Sequence, residues 1–504
     1  MSLGSIPNDI RVPLVYIEID NSLALNGAPA QQHKILVIGQ QLTSGTAEPL
    51  TQNRITSDST ANQLFGRGSM LAEMLKTLRK ANSYTETWAM GIDDIAAGAA
   101  ATSQLIVTGT ATAAGTLSLL VCGESVQVGV KAEQAATAIA DAIVAAINAL
   151  PSLPVIAAIN ALPSLPVIAA VKAGETGTVV LTAKWRGQTT NDLDVRLNYY
   201  VGEQTPAGLS ITTAAFTGGT GTPDMTSVIA ALGDDWFNHI VCPFNDVASL
   251  NTLRDELLDR WGPLRMVEAI SYTAIRGTHA QTGTWGNNRN DFLITSMGTN
   301  IAPQPAYLWA ASYAGTAAYS LAIDPARPLQ TLALTGILPA AKEVRWDPVE
   351  RNLHLFDGVA THFVDAGSNV CIEREITTYR VNSFGDADTS YLDITSPATL
   401  GHIRYVIKNR FTNRYPRHKL AGDDVLEHLQ PGQPVMTPKL GREELLDIFL
   451  TELEPVGLVE DFDNYKDTLE VYRDTTDMNR LNFVIHPNII NQLRVLAGLI
   501  QFKL

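Results

Sequence analysis

The sequence contains only three cysteines, Cys122, Cys242 and Cys371. They are widely separated and odd in number, so neither a disulfide framework nor a metal-binding spacing fits them. Free cysteines usually serve as small buried residues, and we interpret Cys242 and Cys371, which lie in strand-like segments, as part of the core. The cysteine pattern therefore favours assembly in a reducing, intracellular compartment.

Motifs of the common cofactor-dependent classes are also missing. The sequence has no GxxxxGK[ST] loop, and its Gly/Thr-rich runs lack both the lysine and the strand–helix context of a phosphate-binding loop. Neither HExxH nor Cys-x-x-Cys occurs, so zinc chemistry has no support. We therefore expect no cofactor, no bound metal and no catalytic site.

Charge is scarce and mostly negative. Charged residues make up 17% of the chain and the net charge is −15, which argues against a protein covered with nucleic-acid-binding surface. The first twenty residues lack the pattern of a signal peptide. Residues 142–171 are uncharged and long enough to span a membrane, but Pro151, Pro154, Pro163 and Pro166 would break such a helix. We expect no membrane insertion.

Apolar runs typical of buried strands alternate with segments of helical periodicity in two separated parts of the chain. The first part predicts a strand at 33–40, a helix at 69–81 and a strand at 85–92. The second part predicts helices at 225–232, 247–261 and 305–322 and strands at 237–244, 266–274 and 291–298. This alternation predicts an α/β core with a mostly parallel sheet covered by helices.

Residues 98–222 differ in composition from the parts on either side. They are rich in Ala, Gly, Thr and Val and alternate in strand fashion at 103–123 and 177–187, with one alanine-rich helix at about 131–150. We interpret this segment as a β-rich domain inserted into a loop of the core, which is energetically mild because closure entropy grows slowly with loop length.

A twelve-residue block, Ala145–Ile156, is followed at once by a perfect copy, Ala157–Ile168. The extra copy would lengthen a helix end or a connector in the inserted domain. A cloning, assembly or sequencing error is the alternative that the sequence leaves open. Two short copies are too few for a structural repeat array.

The C-terminal part predicts a long strand at 369–382, a helix at 396–414 and an amphipathic helix at 441–455. Both chain ends alternate like half-buried strands that lack a partner nearby, which suggests pairing with another chain. The apolar residues of these strands are Val15, Ile17 and Ile19 at the start and Ile500, Phe502 and Leu504 at the end.

These patterns divide the chain into four parts. We predict an N-terminal arm at 1–22, a discontinuous core at 23–97 and 223–480, the inserted outer domain at 98–222, and a C-terminal arm at 481–504.

Two short motifs suggest a serine hydrolase. "RGTHAQTGT" at 276–284 resembles the histidine motif of subtilisin-like proteases, and "ITSMGT" at 294–299 resembles their serine motif, with His279 and Ser296 in the catalytic places. A Ser–His–Asp site needs an orienting carboxylate as well, and no Asp–Gly motif follows an early strand. A hydrolase is therefore the alternative function and not the favoured one.

Basic residues cluster in an otherwise acidic chain, within sixteen positions. A solvated helix face, a docking site for an acidic protein surface, and a nucleic-acid contact are the three interpretations, in decreasing order of preference. The members of this basic cluster are Arg404, Lys408, Arg410, Arg414, Arg417 and Lys419, with His418 beside them.

Three stretches resemble the contractile tail sheath proteins of Mu-like bacteriophages. "REITTYRVNSFGDADTSYLDITSPATLGHIRYVIKNRFTNRYPRHKLAGDD" (374–424) is similar to their C-terminal core. "SIPNDIRVPLVYIEIDNS" (5–22) is similar to their N-terminal segment, and "GTVVLTAKWRGQTTNDLDVRLNY" (177–199) to their inserted domain. Because the similarity is spread along the chain in the expected order, it is more specific than any single motif. The family's subtilisin-like core would also account for the protease-like motifs.

The resemblance implies a virion structural protein, assembled in the bacterial host cytoplasm and carried in the contractile tail of a myovirus. Sheath subunits polymerise as stacked rings, commonly of six, around a tail tube, and their terminal arms join neighbours in a handshake β-sheet. Contraction drives the tube through the host envelope for genome ejection. The implied partners are further copies of the chain, the tube protein, and baseplate and terminator or neck proteins, without nucleic acid. The basic cluster is then the candidate tube-facing surface.

Overall fold

The structure is a computed structural model that describes residues 31–148, 165–428, 430 and 432–503. The chain divides into two units, one comprising residues 32–399 and the other including residues 400–504. No helix within the described ranges is both long enough and apolar enough to cross a membrane. The uncharged stretch at 142–171 falls partly on residues 149–164, which lie outside these ranges.

The larger unit is built from three successive groups of elements. The first is β1 (Lys34–Gln40), β2 (Gln52–Ile55), α1 (Asp58–Phe65), α2 (Met70–Ala81) and β3 (Glu86–Ile92). The second is β4 (Thr102–Gly109), β5 (Gly115–Val121), β6 (Glu124–Val130), α3 (Ala136–Asn148), β7 (Val167–Lys172), β8 (Glu175–Ala183), β9 (Val195–Leu197) and β10 (Leu209–Thr213). The third is α4 (Met225–Leu232), β11 (His239–Val241), α5 (Val247–Trp261), β12 (Ile270–Arg276), α6 (His279–Asn287), β13 (Ile294–Asn300), α7 (Ala306–Ile323), α8 (Pro348–Phe356), β14 (Thr361–Val364), β15 (Val370–Arg374) and the start of α9 (Thr395–Arg414).

Strands of the first and third groups form one six-stranded sheet in the order β13-β12-β11-β1-β3-β2. Neighbouring strands are parallel, except that the edge strand β2 pairs antiparallel with β3. In the interior strand β1, Ile35, Leu36, Val37 and Ile38 are all fully buried, as expected for a parallel strand covered on both faces. The prediction of an α/β core with a mostly parallel sheet is confirmed.

Helices α2 and α7 pack closely against each other on this core. The Ser69 side chain caps α2 by accepting a hydrogen bond from the backbone N–H of Ala72. A Cβ atom at Gly315 in α7 would lie 3.0 Å from the carbonyl oxygen of Leu78 in α2. The glycine therefore allows a close approach of the two helices, which an added Cβ would crowd.

The second group forms separate antiparallel sheets. One has four strands in the order β10-β4-β8-β7, and the other has three in the order β6-β5-β9. Helix α3 packs against β6, β7 and β8. Strand β6 buries Val126, Val128 and Val130 and exposes the residues between them, the period of a strand with one solvated face. The two ends of this segment meet where Ala99 and Thr220 exchange backbone hydrogen bonds of 3.0 Å.

The two copies of the twelve-residue block contribute to different elements. The first copy supplies the end of α3, through Asn148, and the second supplies Val167 and Ile168 at the start of β7. The Asn148 side-chain amide donates to the carbonyl oxygen of Ala169 (2.6 Å) and accepts from its N–H (2.9 Å), which joins the helix end to the strand. Residues 149–164 between them lie outside the described ranges. A single copy of the block contains both the residues that end α3 and the residues that start β7. The second copy therefore adds twelve residues between this helix and this strand.

Deleting Ala157–Ile168 should leave the fold intact. In the shortened chain Val155 and Ile156 precede Ala169, so they replace the identical Val167 and Ile168, and Asn148 is retained. The shorter connection should raise the free energy of unfolding by about 1 kcal/mol, because closure entropy falls with loop length. Denaturant unfolding of both chains measures this difference.

Asn148→Ala in the shortened chain is the matched control, because it removes the hydrogen bonds to Ala169 and should lower stability. A shortened chain that is insoluble or markedly less stable than the full chain would contradict this view of the duplication.

The predicted long strand at 369–382 is wrong beyond its first residues. Strand β15 ends at Arg374, and the backbone N–H groups that follow bond to separate segments: Thr377 to the carbonyl of Leu392 and Thr378 to that of Ile294. The side-chain hydroxyl of Thr377 donates to the carbonyl of Tyr391. The β-branched residues here form hydrogen bonds with several separate segments and not with one neighbouring strand. Their composition therefore predicts a strand that does not form.

The smaller unit contains the rest of α9, α10 (Pro438–Ile448), a π-helical turn (Phe449–Leu453) and α11 (Phe462–Thr468). Its strands form three two-stranded pairs: β16 (Lys419–Leu420) with β17 (Val435–Met436), β18 (Val459–Glu460) with β21 (Asn488–Ile489), and β19 (Glu470–Arg473) with β20 (Leu481–Val484). Helix α10 starts three residues before the predicted 441 because Thr437 caps it by accepting from the N–H of Leu440 and Pro438 opens its first turn.

Candidate assembly surfaces

The geometry around His279 and Ser296 does not support a hydrolase. Ser296 lies within β13 and is fully buried, and its hydroxyl has no hydrogen-bond partner within the described part of the chain. The His279 imidazole instead places its Nε2 3.1 Å from the carbonyl oxygen of Glu350. A nucleophile must be reachable by substrate and bonded to its base, and Ser296 is neither.

The histidine motif has a structural explanation. Thr278 and Gln281 form a capping box at the start of α6, in which each side chain accepts from the other residue's backbone N–H. The ring of His279 lies 4.1 Å, centroid to centroid, from that of His354 on α8. Burial lowers the pKa of His354 to about 4, and the neighbouring His279 acts in the same direction. The pattern at 276–284 therefore starts a helix and packs two helices together.

Arg410 of the basic cluster is held inside the smaller unit. Its guanidinium bonds to Glu444 and Asp447, each at 2.8 Å, and to Glu452, and its side chain is only 10% exposed. Burial by itself lowers the pKa of Arg410, but the hydrogen bonds to these three carboxylates outweigh it and raise the pKa. Arg410 is thus largely buried and paired within the smaller unit, which corrects the expectation that it belongs to an exposed basic surface.

Glu444 is the centre of this network. It also accepts from Arg414 at 2.9 Å and from the Tyr415 hydroxyl, and its own side chain is 8% exposed. Burial, and then the bond to Glu444, raise the pKa of Tyr415 to about 12. The sequence contains a signal for this network: Glu444, Asp447 and Glu452 are spaced so that one helix face can present all three to a basic helix.

The other members of the basic cluster differ in exposure. Arg404 is half-buried, whereas Lys408, Arg414, Arg417 and Lys419 are exposed. Lys419 bonds to the side-chain oxygen of Gln433 at 3.3 Å. Within the described ranges, no carboxylate is within ion-pair distance of Lys408, Arg417 or Lys419. These three residues, the exposed basic set, remain the candidate surface for an acidic partner.

The C-terminal tail is the second candidate surface. The last strand is β21, and residues 490–503 form no strand or helix in the single chain. Ile500 is 91% exposed and Phe502 79% exposed, and the tail also exposes Leu493, Val495, Leu496 and Leu499, which lie outside the predicted alternating strand. Val15, Ile17, Ile19 and Leu504 lie outside the described ranges. Exposed apolar patches of this kind mark interaction sites in soluble proteins.

Three protein-family models match the chain in succession. The phage tail sheath protein beta-sandwich domain matches residues 96–220, the phage tail sheath protein central domain residues 218–378, and the phage tail sheath C-terminal domain residues 386–503. Together they cover most of the chain: the first matches the second group of elements, the second matches most of the third group, and the last matches the end of the third group and the smaller unit. The chain therefore belongs to the phage tail sheath proteins.

One relative is similar along its whole length. The chain is 44% identical over 504 residues, 100% of both proteins, to the Mu-like prophage FluMu tail sheath protein of Haemophilus influenzae. This relationship confirms the resemblance to sheath proteins of Mu-like phages and favours a structural sheath subunit over the hydrolase alternative.

Solved structures of sheath proteins show a weaker likeness. The sheath tail protein of Desulfitobacterium hafniense matches with a TM-score of 0.47 at 13% identity, over 94% of this chain and 100% of that one. The contracted helical sheath of the anti-feeding prophage matches with a TM-score of 0.44 at 11% identity, over 98% and 99%. Because these TM-scores are low, the family assignment rests on the sequence relationships.

Proposed function

We propose that the chain polymerises as stacked rings of six around a phage tail tube and that this sheath contracts to drive the tube through the host envelope. The observation that carries the proposal is the full-length identity to a Mu-like tail sheath protein. The partners are other copies of the chain, the tube protein, and baseplate and terminator or neck proteins. The sheath is assembled in the host cytoplasm and carried in the virion. Neither an enzymatic step nor nucleic acid has a part in this proposal.

In the proposed arrangement the β-rich segment faces outward and the core lines the sheath wall. The backbone bonds between Ala99 and Thr220 support this separation, because they close the segment at its base. The arms join neighbouring copies. Strands β20 and β21 pair with β19 and β18 inside the smaller unit, so we place the start of the C-terminal arm after Ile490 and not at 481.

Electron microscopy of the purified chain tests the proposal directly. The chain should form long hollow polymers and show no peptidase activity. Compact soluble particles that hydrolyse peptides would overturn the sheath proposal and revive the hydrolase alternative.

Removing Gln492–Leu504 should abolish polymer formation while sparing the fold. The deleted residues form no strand or helix in the single chain, whereas strand addition to a neighbour would give them a row of backbone hydrogen bonds. Unfolding midpoints and sedimentation of the truncated chain give the two readouts.

A control of full length changes Leu496, Ile500 and Phe502 to serine. It should assemble as poorly as the truncated chain if apolar burial holds the arm. Long sheaths built from the truncated chain would contradict the arm proposal.

Reversing the exposed basic set, Lys408, Arg417 and Lys419, to glutamate should weaken binding to tail tubes, most clearly at low salt. Exposed charge contacts contribute about 0–1 kcal/mol each, so the three must act together, and salt screens them. Co-sedimentation with tubes at low and high salt measures the effect.

Arg410→Glu is the contrasting variant. Breaking a largely buried ion pair costs about 3–5 kcal/mol, so this change should lower the unfolding midpoint, which the triple reversal should leave unaltered. Unchanged tube binding of the triple variant at low salt would mean that these residues form a solvated face.

A further inference from the structure

A rigid turn at residues 380–388, the Phe384 turn, holds an aromatic side chain in solvent. The Asn382 side-chain oxygen accepts from the backbone N–H of Phe384 (2.9 Å) and of Asp386 (3.1 Å). Gly385 has a φ of +89°, a conformation that favours glycine. Phe384 at the tip is 89% exposed.

The base of this turn is fixed as well. The N–H of Asp388 donates to the carbonyl oxygen of Arg380 (2.9 Å), and the Tyr379 hydroxyl donates to the Asp388 carboxylate (2.6 Å). Because the backbone of the turn is already ordered, binding would cost less conformational entropy there than in a flexible loop. Aromatic side chains that become buried when two proteins bind often carry much of the binding energy.

The larger unit also has a cavity of suitable chemistry, which we call the Trp346 cavity. Its volume is about 240 Å³, far more than the roughly 10–15 Å³ that one water needs. Its lining residues include Trp346, Phe363, Val364, His362, Arg345 and Arg351. Aromatic, aliphatic and guanidinium walls of this kind suit an inserted aromatic ring.

Charges on the turn and the cavity are complementary. Arg351 is paired with Glu373 at 2.8 Å, but Arg345 donates its Nε only to the carbonyl oxygen of Ala340 and has no carboxylate partner within the described residues. On the turn, Asp388 is bound by Tyr379, whereas Asp386 is exposed and has no ion-pair partner in the same part of the chain. The cavity thus offers an uncompensated cation and the turn an uncompensated anion.

The turn and the cavity lie at opposite ends of β13. The residues that lead into the turn bond beside the start of the strand: Thr378 N–H to the carbonyl of Ile294, and Arg380 N–H to the side chain of Asn290. Asn300, at the other end of β13, lines the cavity. A seven-residue strand is about 20 Å long, so the two features lie near opposite ends of this strand.

We propose that Phe384 of one copy inserts into the Trp346 cavity of a second copy of this chain, with Asp386 placed against Arg345. Because the two features occupy different places on the subunit, the contact is heterologous and repeats from copy to copy, as rings and helical filaments require. The inference rests on the proposed function, since it assumes that the chain assembles with itself.

Phe384→Ala tests the aromatic part of this contact. The change should raise the critical concentration for polymer formation by about tenfold or more, the loss expected for an interface anchor. Because Phe384 is exposed in the single chain, the unfolding midpoint should stay unchanged. Phe384→Tyr, which keeps the ring, should assemble nearly as well as the unaltered chain.

A charge exchange tests the polar part. Asp386→Arg and Arg345→Asp should each impair assembly, and the chain carrying both changes should recover it, because the pair is then restored with opposite polarity. If Phe384→Ala, Asp386→Arg and Arg345→Asp each formed polymers at the critical concentration of the unaltered chain, the proposed contact would be wrong and the proposed function would stand. Failure of the unaltered chain to polymerise would overturn the proposed function and this contact with it.

Discussion

The parallel sheet of the larger unit is the constraint on which its other features depend. Its interior strand β1 is fully buried from Ile35 to Ile38, so helices must cover both faces and only the strand ends remain for loops. The β-rich segment is inserted between β3 and α4 of the core, and its two ends are joined by the backbone hydrogen bonds between Ala99 and Thr220. The Phe384 turn and the Trp346 cavity are likewise fixed at the two ends of β13. The sheet thus sets the positions of the turn and the cavity that we propose for the contact between copies.

The single chain leaves several apolar and charged groups uncovered. A soluble monomer rarely exposes as much apolar surface as the tail after Ile490, where Leu496 and Ile500 are about nine-tenths exposed. By contrast, Arg410, Glu444 and Glu452 are largely buried and paired with one another, so they stabilise the smaller unit. Groups that are paired within the chain therefore stabilise its fold, whereas groups left exposed are the candidates for assembly.

Much of the core could be predicted because its segments carry clear local patterns. The helical period at 247–261 matches α5, and the apolar run at 33–40 contains the buried strand β1. The failures have a common physical cause. The Thr-rich segment after Arg374 distributes its hydrogen bonds among several elements, and Arg410 meets carboxylates more than thirty positions away. The Phe384 turn and the Trp346 cavity were missed because only tertiary structure shows which aromatic side chain stays exposed and which residues leave a gap.

The central claim is that surfaces left uncovered in the single chain become covered when the chain assembles. Hydrogen exchange, measured by mass spectrometry on monomer and polymer under the same conditions, tests this claim most directly. The account predicts strong new protection in the polymer for backbone amides of residues 491–503, and a smaller further increase for the Phe384 turn, whose amides are already hydrogen-bonded in the single chain. Equal exchange of both segments in monomer and polymer would contradict it.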